Sequence, residues 1–184
     1  MARSIAINVA ANTNLPGFRG PIYPDGSFVY VPIPEREPTA EAVPTYADLL
    51  DGLGPLPFSV DDDLLDRRVH LDPEFAEYPT CSQYTYGDEH GVKAGPLAEL
   101  QPGDSLYFYA TLSRHEPPEG IDTGPAVDWI APDWGAYLIG EFRVDRVYDA
   151  AACDSLADFE SHGVATNAHC KRDPFDAKVL VVGT

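Results

Sequence analysis

The segment at residues 101–112, QPGDSLYFYATL, places the strongest constraint on how this chain folds. Its Pro-Gly-Asp turn is followed by a nearly unbroken apolar run that includes Tyr107, Phe108 and Tyr109. A short apolar run that begins at a turn is typical of a strand buried on both faces. The segment therefore predicts a core strand of a compact β-rich domain, and the chemically suggestive residues lie in the loops around it.

A second long strand is predicted at residues 135–148, GAYLIGEFRVDRVY. Phe142 and Val144 alternate with charged residues, as in a strand that buries one face. Gly140 lies in the middle of this run and marks a bulge or a sharp bend. Further strands are predicted at residues 4–9 and 178–182.

The chain of 184 residues, 44% of them apolar, suits one domain with a substantial core. Its 18 prolines and 15 glycines imply many loops. Two short helices are predicted, one capped by Thr45 with Asp48 in its first turn and one capped by Ser155 with Asp158. The predicted fold class is α+β, mainly β, in a single domain over residues 1–184.

Three irregular regions separate these elements. Residues 34–44 form a polar, proline-bearing linker, and residues 78–91 are polar and aromatic without core periodicity, which predicts a loop. Residues 113–134 are rich in Pro, Gly and Asp and predict a long irregular connection. Loops of these kinds are frequent hosts of function, and a long one often forms a lid or a binding wall.

The charge balance is strongly acidic, because 30 acidic residues face 12 basic ones and give a formal net charge of −18. In high salt, screening over a few ångströms removes the self-repulsion that such a charge creates. The bias therefore predicts a protein of a halophilic archaeal cytoplasm; the alternative is an acidic protein that binds a basic partner or mimics nucleic acid. Bulk negative charge also argues against non-specific nucleic-acid binding through a basic face, although a local basic pocket stays compatible with it.

Cys81, Cys153 and Cys170 form no CxxC pair, so neither a zinc ribbon nor an even disulfide framework is indicated. The N-terminal segment lacks the pattern of a signal peptide, and no stretch approaches the roughly 20 apolar residues of a membrane span. We therefore expect a soluble cytoplasmic protein. GxSxG, GxGxxG, HExxH and Walker-type motifs are absent, which weighs against the common hydrolases, Rossmann oxidoreductases, zinc proteases and nucleotide triphosphatases.

The first candidate site is the segment 167–172, NAHCKR, which groups a histidine with two cations in a very acidic chain. Grouped cations suit phosphate or carboxylate, and Arg172 suits bidentate contact. We assign Asn167, Lys171 and Arg172 to ligand binding and His169 to catalysis. The alternative is a histidine bound to a neighbouring loop, beside basic residues in surface ion pairs.

The second candidate site is the segment 84–88, YTYGD. Tyr84 and Tyr86 can stack on a base, Asp88 can accept hydrogen bonds from its polar edge, and Gly87 lets the backbone approach a ligand. The alternative is that the tyrosines only cover the core.

The third candidate site is His70-Leu71-Asp72, whose polar side chains share one strand face at i and i+2. Together with His90 or His169, this pair is compatible with a mononuclear metal site or a carboxylate-oriented general base. Because nothing in the spacing fixes a third ligand, no metal ligand and no cofactor are assigned. A structural His–Asp pair is the favoured interpretation, while His70, Asp72 and His169 are the catalytic candidates.

Eight short segments spaced over nearly the whole chain carry a resemblance to a known family. They are residues 20–26 (GPIYPDG), 31–34 (VPIP), 45–48 (TYAD), 70–73 (HLDP), 84–88 (YTYGD), 100–104 (LQPGD), 137–140 (YLIG) and 167–172 (NAHCKR). In this order they resemble the nucleotide modification associated domain of type 3. The chain departs from that family at residues 8–14, NVAANTN, where members often have a Ser-Arg-Lys-Gly-like segment.

The Pro-Gly-Asp turn entering an aromatic strand, followed by a strand of YLIGEFRV type, is similar to the core of PUA-like domains, including ASCH and EVE modules. Those domains are small β-barrels that bind nucleic acid or modified bases. This resemblance implies a partly open PUA-like β-barrel with short helices and long loops.

Together the resemblances imply binding or processing of modified nucleotides or bases in a nucleic-acid modification system. The favoured hypothesis is a recognition domain whose partner is a nucleotide or nucleic acid containing a modified base. One alternative is a nucleotide- or base-modifying enzyme that uses a His/Asp acid–base pair. The other is a non-catalytic interaction subunit of a modification operon.

Overall fold

The computed structural model describes residues 2–40, 42–89, 91–150 and 156–184. Its strands are β1 (Ser4–Asn8), β2 (Pro21–Ile22), β3 (Tyr84–Asp88), β4 (Ser105–Arg114), β5 (Trp134–Asp149) and β6 (Val179–Gly183). Its helices are α1 (Tyr46–Leu53), α2 (Asp62–Leu65), α3 (Gly91–Ala98) and α4 (Leu156–His162), with a 3-10 helix at Ala168–Lys171. Strands hold 31% of the residues and helices 17%, so the predicted mainly β class is confirmed.

The described strands form one mixed sheet in the order β1-β4-β5-β6-β3, with β2 also beside β4. Strands β1 and β2 run parallel to β4, whereas the other neighbours are antiparallel. Because the edge strands β1 and β3 do not pair with each other, the sheet is open. The partly open barrel of PUA type is therefore not confirmed.

The core strand predicted at residues 101–112 is confirmed as β4, which lies between β1 and β5. Leu106 and Phe108 are fully buried in it. At the preceding turn, the Asp104 carboxylate accepts hydrogen bonds from the backbone N–H groups of Arg3 and Gln101 at 2.7 and 2.8 Å. The turn thereby ties the start of β1 to the start of β4.

Strand β5 joins the two halves of the sheet, because residues 134–143 pair with β4 and residues 144–149 pair with β6. The register passes from Phe108 opposite Gly140 to Tyr109 opposite Leu138, so Ile139 is the extra residue of a β-bulge. The irregularity predicted at Gly140 is confirmed. One apolar cluster has members from five strands, namely Ile7, Tyr86, Phe108, Phe142 and Val181.

The prediction of a loop at residues 78–91 is wrong, because β3 lies within this range and pairs antiparallel with β6. Tyr84 and Tyr86 pack on the aromatic core, whereas Thr85 is fully buried and donates a hydrogen bond to Glu74 at 2.6 Å. A polar network instead of apolar side chains covers one face of this strand. Only Tyr84 and Tyr86 therefore mark the core-facing side in the sequence, and this alternation is too short to predict a strand.

The helix cap predicted at Thr45 is confirmed, since the side chains of Thr45 and Asp48 and their backbone N–H groups form a capping box. Ser155, the other predicted cap, lies outside the described residues, directly before α4. The long irregular connection is also confirmed, because residues 115–133 contain neither strand nor helix. Within the described part of the chain, every helix is too short or too polar to cross a membrane.

Gly140 is required by the packing at the bulge. A Cβ atom at this position would lie 2.4 Å from Cε1 of Phe75. The ring of Phe75 cannot move away easily, because it makes edge contacts with Tyr30 and Phe108 at centroid distances of 5.7 and 5.4 Å. The substitution Gly140→Ala should therefore lower the free energy of unfolding by about 1–3 kcal/mol in urea titrations.

The matched control is Gly95→Ala in α3, where no atom lies within 4 Å of the added Cβ. This variant should be at least as stable as the parent chain, since alanine favours a helix over glycine. Equal stability of the two variants would contradict the packing argument.

Candidate functional site

A cleft of about 410 Å³ lies between the two edge strands of the open sheet. The end of β1 and the residues after it line one side, and β3 from Tyr86 to Asp88 lines the other. His70, Asp72 and His169 also face this space. His70, Tyr86 and His169 therefore share one cavity.

The Asp72 carboxylate is held from two directions. Its Oδ1 atom accepts hydrogen bonds from the backbone N–H of Gly87 at 2.8 Å and from Nδ2 of Asn167 at 2.7 Å. Asn167 also caps the 3-10 helix, because its Oδ1 accepts the backbone N–H of His169 at 3.0 Å. A Cβ at Gly87 would lie 2.8 Å from Cδ2 of His169, so glycine permits this close approach. The buried amide of Asn167 thus sets Asp72 and His169 relative to each other.

A second layer of buried hydrogen bonds supports Asn167. Its Nδ2 atom lies 3.0 Å from Oγ1 of Thr85, whose hydroxyl donates to Glu74. The Thr166 hydroxyl donates to the same carboxylate oxygen at 2.8 Å. Burial raises the pKa of Glu74 above its ordinary value, despite these hydrogen bonds. These hydrogen-bonded side chains cover the polar face of β3.

The imidazole of His70 is oriented by Glu35. Its Nδ1 atom lies 2.7 Å from Oε2 of Glu35, and both side chains are buried. Burial alone would raise the pKa of Glu35, but hydrogen bonds from His70 and Arg172 outweigh it and lower the pKa to about 2. Glu35 is therefore an anion, and the hydrogen on Nδ1 of His70 is donated to it.

The imidazole of His169 is oriented in the same way by Asp176, whose Oδ1 lies 2.8 Å from Nδ1. Burial alone would lower the pKa of His169, but its hydrogen bond with Asp176 and the nearby carboxylate of Asp72 outweigh it and raise the pKa to about 9. At neutral pH this imidazole carries a positive charge. The pKa of Asp176 is correspondingly lowered, since its bond with His169 outweighs its burial.

Arg172 neutralises the carboxylates behind both imidazoles. Its Nη2 atom donates to Glu35 at 3.0 Å, and its Nη1 atom donates to Glu89 at 2.8 Å and to Asp176. Nη1 and Nη2 also lie 3.3 Å from the Nδ1 atoms of His169 and His70. The guanidinium therefore fixes the surroundings of the two histidines and has its donors occupied within the protein.

His70, Asp72 and His169 converge at one end of the cleft. The two rings are nearly perpendicular with centroids 5.0 Å apart, and Nε2 of His169 lies 3.7 Å from Oδ2 of Asp72. One ligating atom from each residue lies within 4.8 Å of the other two. Because Glu35 and Asp176 engage the Nδ1 atoms, Nε2 is the ring nitrogen of each histidine that a ligand would contact, and in His169 this atom faces Asp72. Such a group is able to move a proton or to hold a cation.

The family model described as nucleotide modification associated domain 3 matches residues 3–184. The chain belongs to this family. The resemblance seen in eight short segments is thus confirmed over essentially the whole chain. No curated protein and no solved structure matches the sequence. Family membership associates the domain with nucleotide modification and leaves its reaction or ligand to be argued from the site.

In this nucleotide modification associated domain, six predicted site residues line the cleft together, namely His70, Asp72, Tyr86, Asp88, His169 and Arg172. Asn167 lies behind the cleft as a buried support. Tyr84 and Lys171 are not among the lining residues, and the Tyr84 ring packs on Phe142 at a centroid distance of 6.1 Å. His90, the alternative partner of His70, lies outside the described residues.

Five charged residues that shape the site were not predicted from the sequence. Glu35 and Asp176 orient the histidines, Glu89 contacts Arg172, and the exposed side chains of Arg36 and Lys93 line the cleft. Glu35 and Arg36 belong to the segment Pro34-Glu-Arg-Glu-Pro38, whose three charges between two prolines were a usable signal. Asp176 carries no comparable local signal.

The support role of Asn167 predicts a measurable loss of stability. Replacing it with alanine removes the acceptor for the buried His169 N–H and one hydrogen-bond donor each from Asp72 and Thr85. We expect Asn167→Ala to lower the free energy of unfolding by about 1–3 kcal/mol in denaturant titrations. The exposed Asn14 provides the control, because Asn14→Ala should change stability by no more than about 0.5 kcal/mol. Equal effects of the two substitutions would show that the buried amide does not support the site.

Proposed function

We propose that this domain binds a nucleotide or a modified base in the cleft and carries out chemistry on it, as an enzyme of a nucleic-acid modification system. The observation that carries the proposal is the convergence of His70, Asp72 and His169 in one cleft. Each imidazole is oriented by its own carboxylate, which is how enzymes hold histidines that act on a substrate.

The size and lining of the cleft suit the base portion of a nucleotide. Its volume of about 410 Å³ is within the range of about 300–1,000 Å³ that small-molecule sites occupy. Asp88 can accept hydrogen bonds from an exocyclic amino group, as acidic side chains do at base edges. Lys93 and Arg36 are exposed cations of the lining and are positioned to meet a phosphate.

The arrangement favours processing over recognition alone. A recognition site with two stacking tyrosines and an arginine on phosphate would need Tyr84 in the cleft and Arg172 with free donors. Tyr84 packs on the core, and Arg172 is engaged by three carboxylates. The catalytic candidates, in contrast, lie together. Arg172 is therefore assigned a positioning role.

Turnover assays test this function directly. The purified chain is incubated with nucleosides, nucleoside monophosphates and short oligonucleotides that carry methylated or hydroxymethylated bases, and the products are followed by mass spectrometry. We expect Asp72→Asn to lower kcat by about 100-fold or more, since a positioned acid–base group contributes that much. The control Tyr84→Phe keeps its ring against Phe142 and should leave kcat unchanged.

Binding of these compounds without turnover would reassign the domain to modified-base recognition. Neither binding nor turnover across the panel would overturn the proposal. Unfolding curves of each variant separate loss of activity from loss of fold.

We further propose that the net charge of −18 suits the chain to a concentrated salt solution, as in the cytoplasm of a halophilic archaeon. At about 1 M salt the screening length falls to about 3 Å, which removes repulsion between surface carboxylates. The midpoint of thermal unfolding should therefore rise as KCl increases from about 0.1 M to about 1 M. A midpoint that stays constant or falls would contradict this adaptation.

A further inference from the structure

We propose that His70, Asp72 and His169 together hold a divalent first-row transition-metal ion at the end of the cleft. This proposal rests on the proposed function in one respect, because the ion is assigned to the same reaction. Its test needs no nucleotide, so the two proposals can fail separately.

The separations of the three side chains are close to those of a metal site. Nε2 of His169 lies 3.7 Å from Oδ2 of Asp72, and the ligating atoms of all three residues lie within 4.8 Å of one another. Ligands at about 2.0–2.2 Å from an ion lie about 3–3.5 Å apart in tetrahedral or octahedral geometry. Small side-chain rotations therefore bring the three atoms onto one centre.

Both histidines already have the outer hydrogen bond that metal-bound histidines make. Glu35 engages Nδ1 of His70 at 2.7 Å, and Asp176 engages Nδ1 of His169 at 2.8 Å. Metal-bound histidines almost always donate their other ring N–H to such an acceptor, which fixes the tautomer and directs the remaining nitrogen to the ion. Two independent carboxylates thus prepare two Nε2 atoms for one ion.

Hydrogen bonds also orient the carboxylate of Asp72 toward the proposed ion. Its Oδ1 atom accepts hydrogen bonds from Gly87 and Asn167, while Oδ2 is the oxygen that points toward His169. A divalent cation between Oδ2 and Nε2 of His169 would neutralise this carboxylate.

A second group of possible ligands, Glu89, His169 and Asp176, lies next to the first. It already holds a cation, because Nη1 of Arg172 donates to both carboxylates and lies 3.3 Å from Nδ1 of His169. A metal ion there would have to displace a guanidinium that is mostly buried. The ion is therefore assigned to His70, Asp72 and His169.

The donor set selects the class of ion. Two imidazole nitrogens and one carboxylate oxygen suit Fe²⁺, Zn²⁺ or Co²⁺, whereas Mg²⁺ and Ca²⁺ prefer oxygen ligands alone. Three protein ligands at the end of an open cleft leave coordination positions for water or substrate, as catalytic metal sites do. In such a centre the histidines act as ligands, and the ion polarises water or a substrate oxygen when bound.

An ion would also strengthen the attraction of the cleft for an anionic ligand. Glu37, Asp72, Asp88 and Glu89 line the cleft beside Arg36, Lys93, Arg172 and the histidines, so the lining has little excess positive charge. A divalent cation adds positive charge at the end where the histidines converge. A phosphate or an ionised base then meets an attractive centre in a strongly acidic chain.

The experiment uses the full chain after treatment with a chelator and dialysis. Co²⁺ is titrated while the visible ligand-field absorption is recorded, and Zn²⁺ binding is measured by calorimetry. We expect one ion per chain for each metal. His70→Gln, Asp72→Asn and His169→Gln should each weaken binding by more than 100-fold, and Mg²⁺ should not compete.

Two variants provide matched comparisons. His162→Gln removes an imidazole that stacks on Tyr148 outside the cleft, and it should bind the ion as tightly as the parent chain. Asp176→Asn removes a carboxylate that His169 and Arg172 both contact but no ligand of the ion, so it should weaken binding by about 10–100-fold without abolishing it. Unfolding curves confirm that each variant is folded.

The proposal is overturned if the folded parent chain binds neither Co²⁺ nor Zn²⁺. It is also overturned if Asp176→Asn abolishes binding while His70→Gln and Asp72→Asn leave it intact, because the ion would then lie in the neighbouring group. Metal binding without nucleotide turnover supports this inference and counts against the enzymatic function. Nucleotide turnover by a chain that binds no metal supports the enzymatic function and overturns this inference.

Discussion

The guanidinium of Arg172 connects three chain segments that are far apart in sequence. It donates to Glu35 in the proline-bearing segment, to Glu89 at the end of β3 and to Asp176 before β6. Without it, these partly or fully buried carboxylates would repel one another, and desolvation would penalise each charge. Lysine could not replace it, since a single ammonium lacks the planar set of donors that reaches three partners. The orientation of both histidines depends on this one side chain.

The open sheet and the cleft are consequences of the same arrangement. Strand β3 is held against β6 on one edge, while hydrogen bonds to Asp72, Glu74 and Asn167 cover its polar face. The space between β1 and β3 is therefore lined by polar residues and not by a further strand. A sheet closed at this point would have no room for a ligand beside the histidines.

Local signals predicted the parts of the fold that local interactions determine. The turn at Asp104 and the capping box at Thr45 depend mostly on neighbouring residues, and the bulge is marked in the sequence by Gly140, although its packing partner Phe75 is distant; all three were found where the sequence indicated. Strand β3 was missed because its buried partners are polar. A pattern of apolar alternation cannot reveal such a strand.

Only some residues of the candidate site were predicted, because several of its contacts join residues that are far apart in the sequence. His70, Asp72 and His169 lie in short polar motifs that stand out in the sequence, so they were found. Glu35 was missed although it lies among three charges between Pro34 and Pro38, because its partner Arg172 is 137 positions away and the local pattern does not identify that contact. Tyr84 and Tyr86 also look equivalent in sequence, yet only Tyr86 lines the cleft.

The position of β6 determines when the site can form during synthesis on the ribosome. Among the described strands, β3 pairs only with β6, and β6 is the last of them in chain order. His169 and Asp176 lie ten and three positions before β6 begins at Val179. A nascent chain that ends before Val179 contains His70, Asp72 and His169, and β3 is then able to contact Asp72 and Glu74 but has no partner strand in the sheet. Assembly of the cleft is a late event, and a cleft able to bind its ligand reports that the whole described sheet has formed.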